Sequence, residues 1–176
     1  MSRIYIVDEN DNVIEERDEK LPEDVGSDDI YRVSTLWVVD PTSEKVLIAQ
    51  RGLKKWHNPG KWGPSAAGTV EVGETYEQNI TKEAAEEIGL TNVEFLPIRK
   101  HLHSSDHKYF CQDFLAKCDW PIERFKLQAD EVEQIRWIGI DELAKDLIAN
   151  PGNYTPKLAE SLEFLQESLG KVKNDN

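Results

Sequence analysis

Residues 68–90 read GTVEVGETYEQNITKEAAEEIGL, and the reading of this stretch decides the fold. Thr75 and Gln78 fit a capping box, in which each side chain satisfies the other residue's otherwise unpaired backbone N–H. Gly89 followed by Leu90 fits a left-handed cap, so a helix is predicted over about 75–88. Within it Ile80, Ala84 and Ile88 recur every fourth residue and should face a core. Glu83, Glu86 and Glu87 stand at i, i+3 and i+4, which places three carboxylates on one adjoining face. Like charges at that spacing cost a helix a few tenths of a kcal/mol per pair. A divalent cation reverses the sign, because magnesium takes hard oxygen ligands, usually one or two carboxylates together with substrate phosphates. Glutamates alone would suit a solvated acidic face, so the decision falls to what surrounds them.

Working outward, IYIVDENDNVIEER has two β-prone runs about the turn signal Glu9–Asn12 and predicts a hairpin. Residues 18–29 are acidic, contain Pro22 and Gly26, and predict a loop. Strands are expected at about 30–40 and 45–51, joined by the Pro41-Thr42-Ser43 turn. The long loop GLKKWHNPGKWGPS leads to a short strand around Ala66–Val70. Further strands fit about 93–103, 108–118 and 132–138, with helices at about 140–149 and 155–169. Strands mixed with a few helices, without regular βαβ alternation, predict an α/β sandwich on a mixed sheet. The expected segments are the hairpin and acidic loop (1–29), the main domain (30–169) and a polar C-terminal tail (170–176).

Length and composition set the class. At 176 residues, 39% hydrophobic and 31% charged, the chain has the size and balance of one globular domain. No apolar run approaches a membrane span, and MSRIYIVDEN is not a signal peptide. Cys111 and Cys118 fall in one expected strand, roughly 23 Å apart, which is beyond disulfide reach. Reduced thiols and no export signal point to the cytoplasm. A formal charge of −13 argues against a nucleic-acid polymer as partner. The charge is uneven, with eleven acids against three bases in residues 1–29 and no acid from Lys45 to Val70. That acid-free stretch carries Lys45, Arg51, Lys54, Lys55 and Lys61, and a locally basic loop suits a small anion better than a polyanion.

Gly68, five residues, Glu74, seven residues, then Lys82-Glu83-Ala84-Ala85-Glu86-Glu87-Ile88-Gly89-Leu90 closely resembles the Nudix box. The usual arginine is replaced by Lys82, which keeps the charge and loses the planar fork that orients a carboxylate. The resemblance covers about residues 30–166 and implies an α/β/α sandwich with the hairpin as an extension. It further implies hydrolysis of a diphosphate linkage in a nucleoside diphosphate derivative, by attack of water at phosphorus beside Mg2+ or Mn2+. Carried over to this sequence, Glu86, Glu87 and the Gly68 carbonyl become metal ligands, Glu83 a ligand or the general base, and Glu74 with Lys82 structural support. In many members a loop glutamate is a further ligand or base, a place taken here by Glu131, with Glu133 as the alternative. Arg51 stands where the family often keeps a phosphate-binding arginine, and Lys61 and His103 are further candidates for substrate contact. The implied partner is a small-molecule diphosphate, without membrane or nucleic-acid polymer, and a homodimer is among the assemblies allowed.

Other signals are weaker. His101 and His103 would share a strand face, yet their spacing matches no standard closed zinc site. Trp56 and Trp62 suit either a lid that stacks on a base or the apolar plug of their loop. The hairpin and QRGLKKWHNPGKW are also similar to isopentenyl-diphosphate isomerases, which makes an isomerase-like enzyme one alternative. Ala67, however, occupies the place of the isomerases' catalytic cysteine, and their glutamate pair is matched by roughly His107 and Tyr109. A non-catalytic, nucleotide-binding Nudix domain is the other alternative. Such domains usually lose box glutamates, and all four are present here.

Overall fold

A computed structural model describes residues 2–19, 26, 28–55, 57–104 and 107–174, with the side chains of residues 2, 19 and 171–174 not described. The Trp56 half of the tryptophan pair and the Pro22 part of the acidic loop lie outside the described residues.

The elements are β1 (Ser2–Val7), β2 (Val13–Glu19), β3 (Ile30–Val39), β4 (Lys45–Arg51), β5 (Trp62–Gly63), β6 (Ala66–Thr69), α1 (Tyr76–Glu87), β7 (Leu96–Ser104), β8 (Lys108–Lys117), β9 (Val132–Gly139), α2 (Ile140–Ala149) and α3 (Leu158–Asn174). One mixed sheet holds all nine strands, with β3 at its centre. β3 runs parallel to β8 in unbroken register from Ile30↔Lys108 to Val39↔Lys117, and pairs antiparallel with β1, β4 and β6.

Alternation along the central strands builds two cores. Leu36 and Val38 of β3, Leu47 and Ala49 of β4, and Phe114 and Ala116 of β8 meet Ile80, Ala84 and Ile88 of α1. The intervening residues Trp37, Val39, Val46, Ile48 and Leu115 meet Leu143 and Leu147 of α2 and Leu158, Leu162, Leu165 and Leu169 of α3. Strands covered on both faces read as continuous apolar runs, which is why VVD and VLIA show no polar alternation. At about 1.5–3 kcal/mol per buried aliphatic side chain, these two layers are the main stabilising term. The result is an α/β/α sandwich. Among the described residues, no helix is long and apolar enough to cross a membrane.

The hairpin forms where the turn signal puts it. Asp8 accepts hydrogen bonds from the Asn10 and Asn12 backbone N–H groups, and Asp11 takes φ +64°. The hairpin is joined to the sheet through Val7↔Ile30 and to the loop before α1 through Val72 N–H to the Arg3 carbonyl. Two boundaries differ from the sequence expectation. β7 starts at Leu96, and its pairing with β8 slips between Pro97 and Arg99. α3 begins only at Leu158, because Lys157 sits at φ +69°, and it continues to Asn174. β5, two residues long, carries no periodicity and was not expected.

Candidate active site

The site is assembled where β6 delivers the chain to α1. Thr75 caps the helix with both hydrogen bonds of the capping box, and Gly89 at φ +69° ends it, with Leu90 N–H bonding back to the Ala84 carbonyl. Burying Ile80, Ala84 and Ile88 fixes the helix's rotation and turns Glu83 and Glu87 toward β6. A Cβ at Gly68 would lie 2.3 Å from Glu83 Cδ, so only glycine lets the Glu83 side chain lie against that strand. Glu87 accepts a hydrogen bond from the Ala67 backbone N–H at 3.1 Å. Glu86 is exposed at the rim.

The two ends of this cluster are treated differently. Lys82 Nζ lies 2.7 Å from Glu74, 3.3 Å from Glu71 and 3.8 Å from Glu83. Glu74 also receives the Asn79 side-chain N–H and the Glu71 backbone N–H. Burial pushes the Glu74 carboxyl up, but Lys82, Asn79 and the Glu71 N–H outweigh it and hold the group below the ordinary value. Burial likewise pulls the Lys82 ammonium down, and Glu74 and Glu71 more than restore it.

Glu83 and Glu87 lack such compensation. Burial raises Glu83 to about 7, with Lys82 opposing and Glu86 and Glu74 adding to the rise. Glu87, 9% exposed, is raised by burial to about 8; the Ala67 N–H opposes, Glu83 and Glu131 add, and Arg51 opposes. Lys82 stands 3.8 Å from Glu83 and Arg51 shares the Glu87 cleft, and neither offsets the burial of these carboxylates.

Glu87 lines a small open cleft with Arg51, Ala49, Ala66, Ala67 and Glu131. Arg51 Nε donates to the His57 carbonyl. Glu131 is paired with Lys55, and its backbone carbonyl accepts from Gly52 N–H, where a Cβ would come within 2.6 Å of the Asp130 carbonyl oxygen. The pairing of β4 with β9 slips at this point, between Gln50 and Arg51. Glu133, the residue that this irregularity leaves without a register partner, is exposed and does not line the cleft.

Lys61 accepts the Arg51 N–H at its carbonyl but does not line the cleft. His103 stacks on Tyr109 at 4.4 Å between ring centroids on the β7–β8 ladder, also outside the cleft lining. Trp62 packs against the α2–α3 core under the Arg136 guanidinium.

Two residues of this neighbourhood, Asn79 and Glu71, were not read from the sequence, and Lys55 was read only as one charge of a basic loop. Asn79, fully buried, bonds Glu74, the Thr69 carbonyl, Ser34 and, at 3.4 Å, Glu83. Its signal is a polar residue inside a buried helical stripe. Lys55 and Glu71 find their partners only across loops, which spacing does not encode.

Comparison with known proteins agrees with the geometry. The NUDIX domain family matches residues 30–158, and the chain belongs to it. A prenyl-diphosphate phosphatase of Methanosarcina mazei is 31% identical over 141 residues, 76% of this chain and 78% of that one. An isopentenyl-diphosphate Delta-isomerase of an Enterobacter species is 27% identical over 135 residues, 70% of this chain and 69% of that one. The structure of DR0079 from Deinococcus radiodurans has the same fold at a TM-score of 0.78 and 20% identity, covering 92% of this chain and 97% of that one. The protein is accordingly a Nudix enzyme, a hydrolase of phosphoric anhydride bonds.

Proposed function

We propose that the chain hydrolyses the diphosphate of a small molecule in a divalent-metal-dependent reaction centred on Glu83, Glu86 and Glu87. The observation that carries this reading is the buried Glu87 carboxylate, with one backbone N–H and no ion pair within 4 Å among the described residues, beside the half-buried Glu83 and a cleft that offers Arg51. The donor set of carboxylate oxygens with the Gly68 carbonyl suits a hard ion, so Mg2+ or Mn2+ fits these residues. When bound, such an ion neutralises charge that builds on the diphosphate oxygens. Arg51 binds a phosphate of the substrate. Glu131, which lines the same cleft, takes the proton of the attacking water. Lys82, Glu74 and Asn79 hold the loop and helix so that Glu83 keeps its place against Gly68.

For the organic half of the substrate, the box alone suggests a nucleoside diphosphate derivative. The 31% identity to a prenyl-diphosphate phosphatase favours a prenyl diphosphate instead. Isomerisation is disfavoured because Ala67, which lines the cleft, has no proton to give. Both buried cysteines are free thiols, which supports a reducing, cytoplasmic setting. Phosphate release from prenyl diphosphates, nucleotide sugars, dinucleotides and nucleoside di- and triphosphates, each with Mg2+, tests the reading. The expected result is turnover of a prenyl diphosphate above all nucleotides. No turnover of any diphosphate with Mg2+ or Mn2+ overturns it.

A further inference from the structure

On the face of the sheet away from α1, three side chains of different chemistry converge. His101 of β7 stands opposite Cys111 of β8 in the strand register, and Asp113 follows on the same face of β8. One ligand atom from each of the three lies within 4.8 Å of the others. Cys111 and Asp113 are almost fully buried, at 4% and 3% exposure. Nδ1 of His101 is buried with no hydrogen-bond partner among the described residues, and it lies 3.7 Å from Asp113 Oδ2. A buried ring nitrogen left unpaired is costly, so its aim toward a carboxylate and a thiol asks for an explanation.

We propose that His101 Nδ1, Cys111 Sγ and Asp113 Oδ2 form a second metal site, selective for a zinc-class cation and separate from the glutamate cluster. One nitrogen, one sulfur and one carboxylate oxygen suit Zn2+ and disfavour Mg2+, which takes oxygen donors only. With zinc bonds of about 2.0–2.3 Å, the ligand atoms of a tetrahedral site stand about 3.3–3.8 Å apart. The 3.7 Å from His101 Nδ1 to Asp113 Oδ2 already matches, and Cys111 Sγ, which donates to Asp113 Oδ1 at 3.5 Å, belongs to a set whose ligand atoms all lie within 4.8 Å of one another. Thr35 donates its hydroxyl to Asp113 Oδ1 and so leaves Oδ2 turned to His101, the outer hydrogen bond that typically orients a carboxylate ligand. Arg99, two residues before His101 on β7, pairs with Glu160 and lies over the Phe164 ring of α3. On binding, the Cys111 thiol releases its proton to water and the metal–sulfur bond forms, with no change of oxidation state. The ion ties β7 through β8 to Thr35 at the centre of the sheet. The histidine spacing along the chain does not reveal the site, because two of its ligands come from the neighbouring strand.

Cobalt is the probe. Full-length protein, stripped with chelator and kept in excess Mg2+ to fill the glutamate cluster, is titrated with Co2+. The expected result is a thiolate-to-cobalt charge-transfer band and strong visible absorption, saturating at one equivalent and abolished by Zn2+. Cys111→Ser should lose the charge-transfer band, and His101→Gln, at a partly exposed position that leaves the fold intact by circular dichroism, should weaken Co2+ binding at least tenfold. Cys118→Ser and Glu87→Gln should keep the band. Absence of the band in the parent, its loss in Cys118→Ser, its survival in Cys111→Ser, or an unweakened His101→Gln protein would each overturn the proposal and leave a hydrogen-bonded polar network only.

Discussion

Glu74 and Glu87 sit at opposite ends of one loop–helix unit, both shielded from water, and the protein treats them in opposite ways. Glu74 is surrounded by donors from Lys82, Asn79 and the Glu71 backbone, and its carboxyl is held below the ordinary range. Glu87 has one backbone N–H and is driven by burial to about 8. The first arrangement is complete in the free protein and makes a rigid corner. The second has a single backbone donor and no such set of partners, and it is the carboxylate that we assign to the proposed metal. A carboxylate's surroundings, more than its place in a motif, therefore separate support from chemistry.

The most damaging way to erase the contrast is Glu87→Gln. Turnover should fall on the order of 10^3-fold, the scale of losing charge stabilisation in phosphoryl transfer, while circular dichroism stays unchanged. In the metal-free state the variant should melt higher than the parent at pH 8, since a buried charge has gone. A variant as active as the parent at limiting Mg2+ would remove Glu87 from the ligand set.

Gly68→Ala attacks the geometry instead of the charge. With the new Cβ 2.3 Å from Glu83 Cδ, the carboxylate must move, and a misplacement near 1 Å should cost about 100-fold in kcat. Overpacking should cost about 1–3 kcal/mol in a denaturant melt. Parental kinetics would mean that Glu83 has no fixed place.

The contrast also has a pH signature. Folded Glu83 and Glu87 titrate at about 7 and about 8, above the ordinary 4.5. Between pH 4.5 and 8 the folded chain thus holds more protons than the unfolded one, and stability falls as pH rises through that window. For metal-free protein the loss should amount to several kcal/mol by urea denaturation, and saturating Mg2+ should flatten it. A metal-free curve that rises from pH 5 to 8 would contradict the burial argument. Activity should climb over the same interval, as the ligands ionise.

Lys82→Arg probes the Glu74 end and should do least. Arginine keeps the pairing with Glu74 and Glu71, so stability should change by less than about 0.5 kcal/mol and activity should hold or rise. A folded but inactive variant would show a corner rebuilt around lysine.

Most of this contrast was legible in the chain. The capping box, the Ile80–Ala84–Ile88 stripe and the Gly68-to-Leu90 spacing place α1 and its glutamates because each is a local pattern read by a local rule. What spacing could not give lies across strands. The sequence put Glu131 ahead of Glu133 on resemblance alone; it did not show the irregularity in the β4–β9 pairing beside which Glu131 lines the cleft and Glu133 is exposed. Asn79 looks like any polar residue of a helix until Ser34, Thr69 and Glu74 close around it. Lys61, drawn in by the charge of its loop, and His103, drawn in by the histidine cluster on its strand, have backbone positions near the site or on the same sheet, but neither lines the cleft.

Manganese binding compares the two ends most directly. Free Mn2+ is followed by electron paramagnetic resonance as the ion is titrated into chelator-treated parent, Glu87→Gln and Glu74→Gln proteins, all checked for folding. Binding should be lost or weakened at least tenfold in Glu87→Gln, and Glu74→Gln should retain most of it while melting lower than the parent. Equal affinity in the parent and Glu87→Gln, or loss confined to Glu74→Gln, would contradict the assignment of Glu87 to the metal.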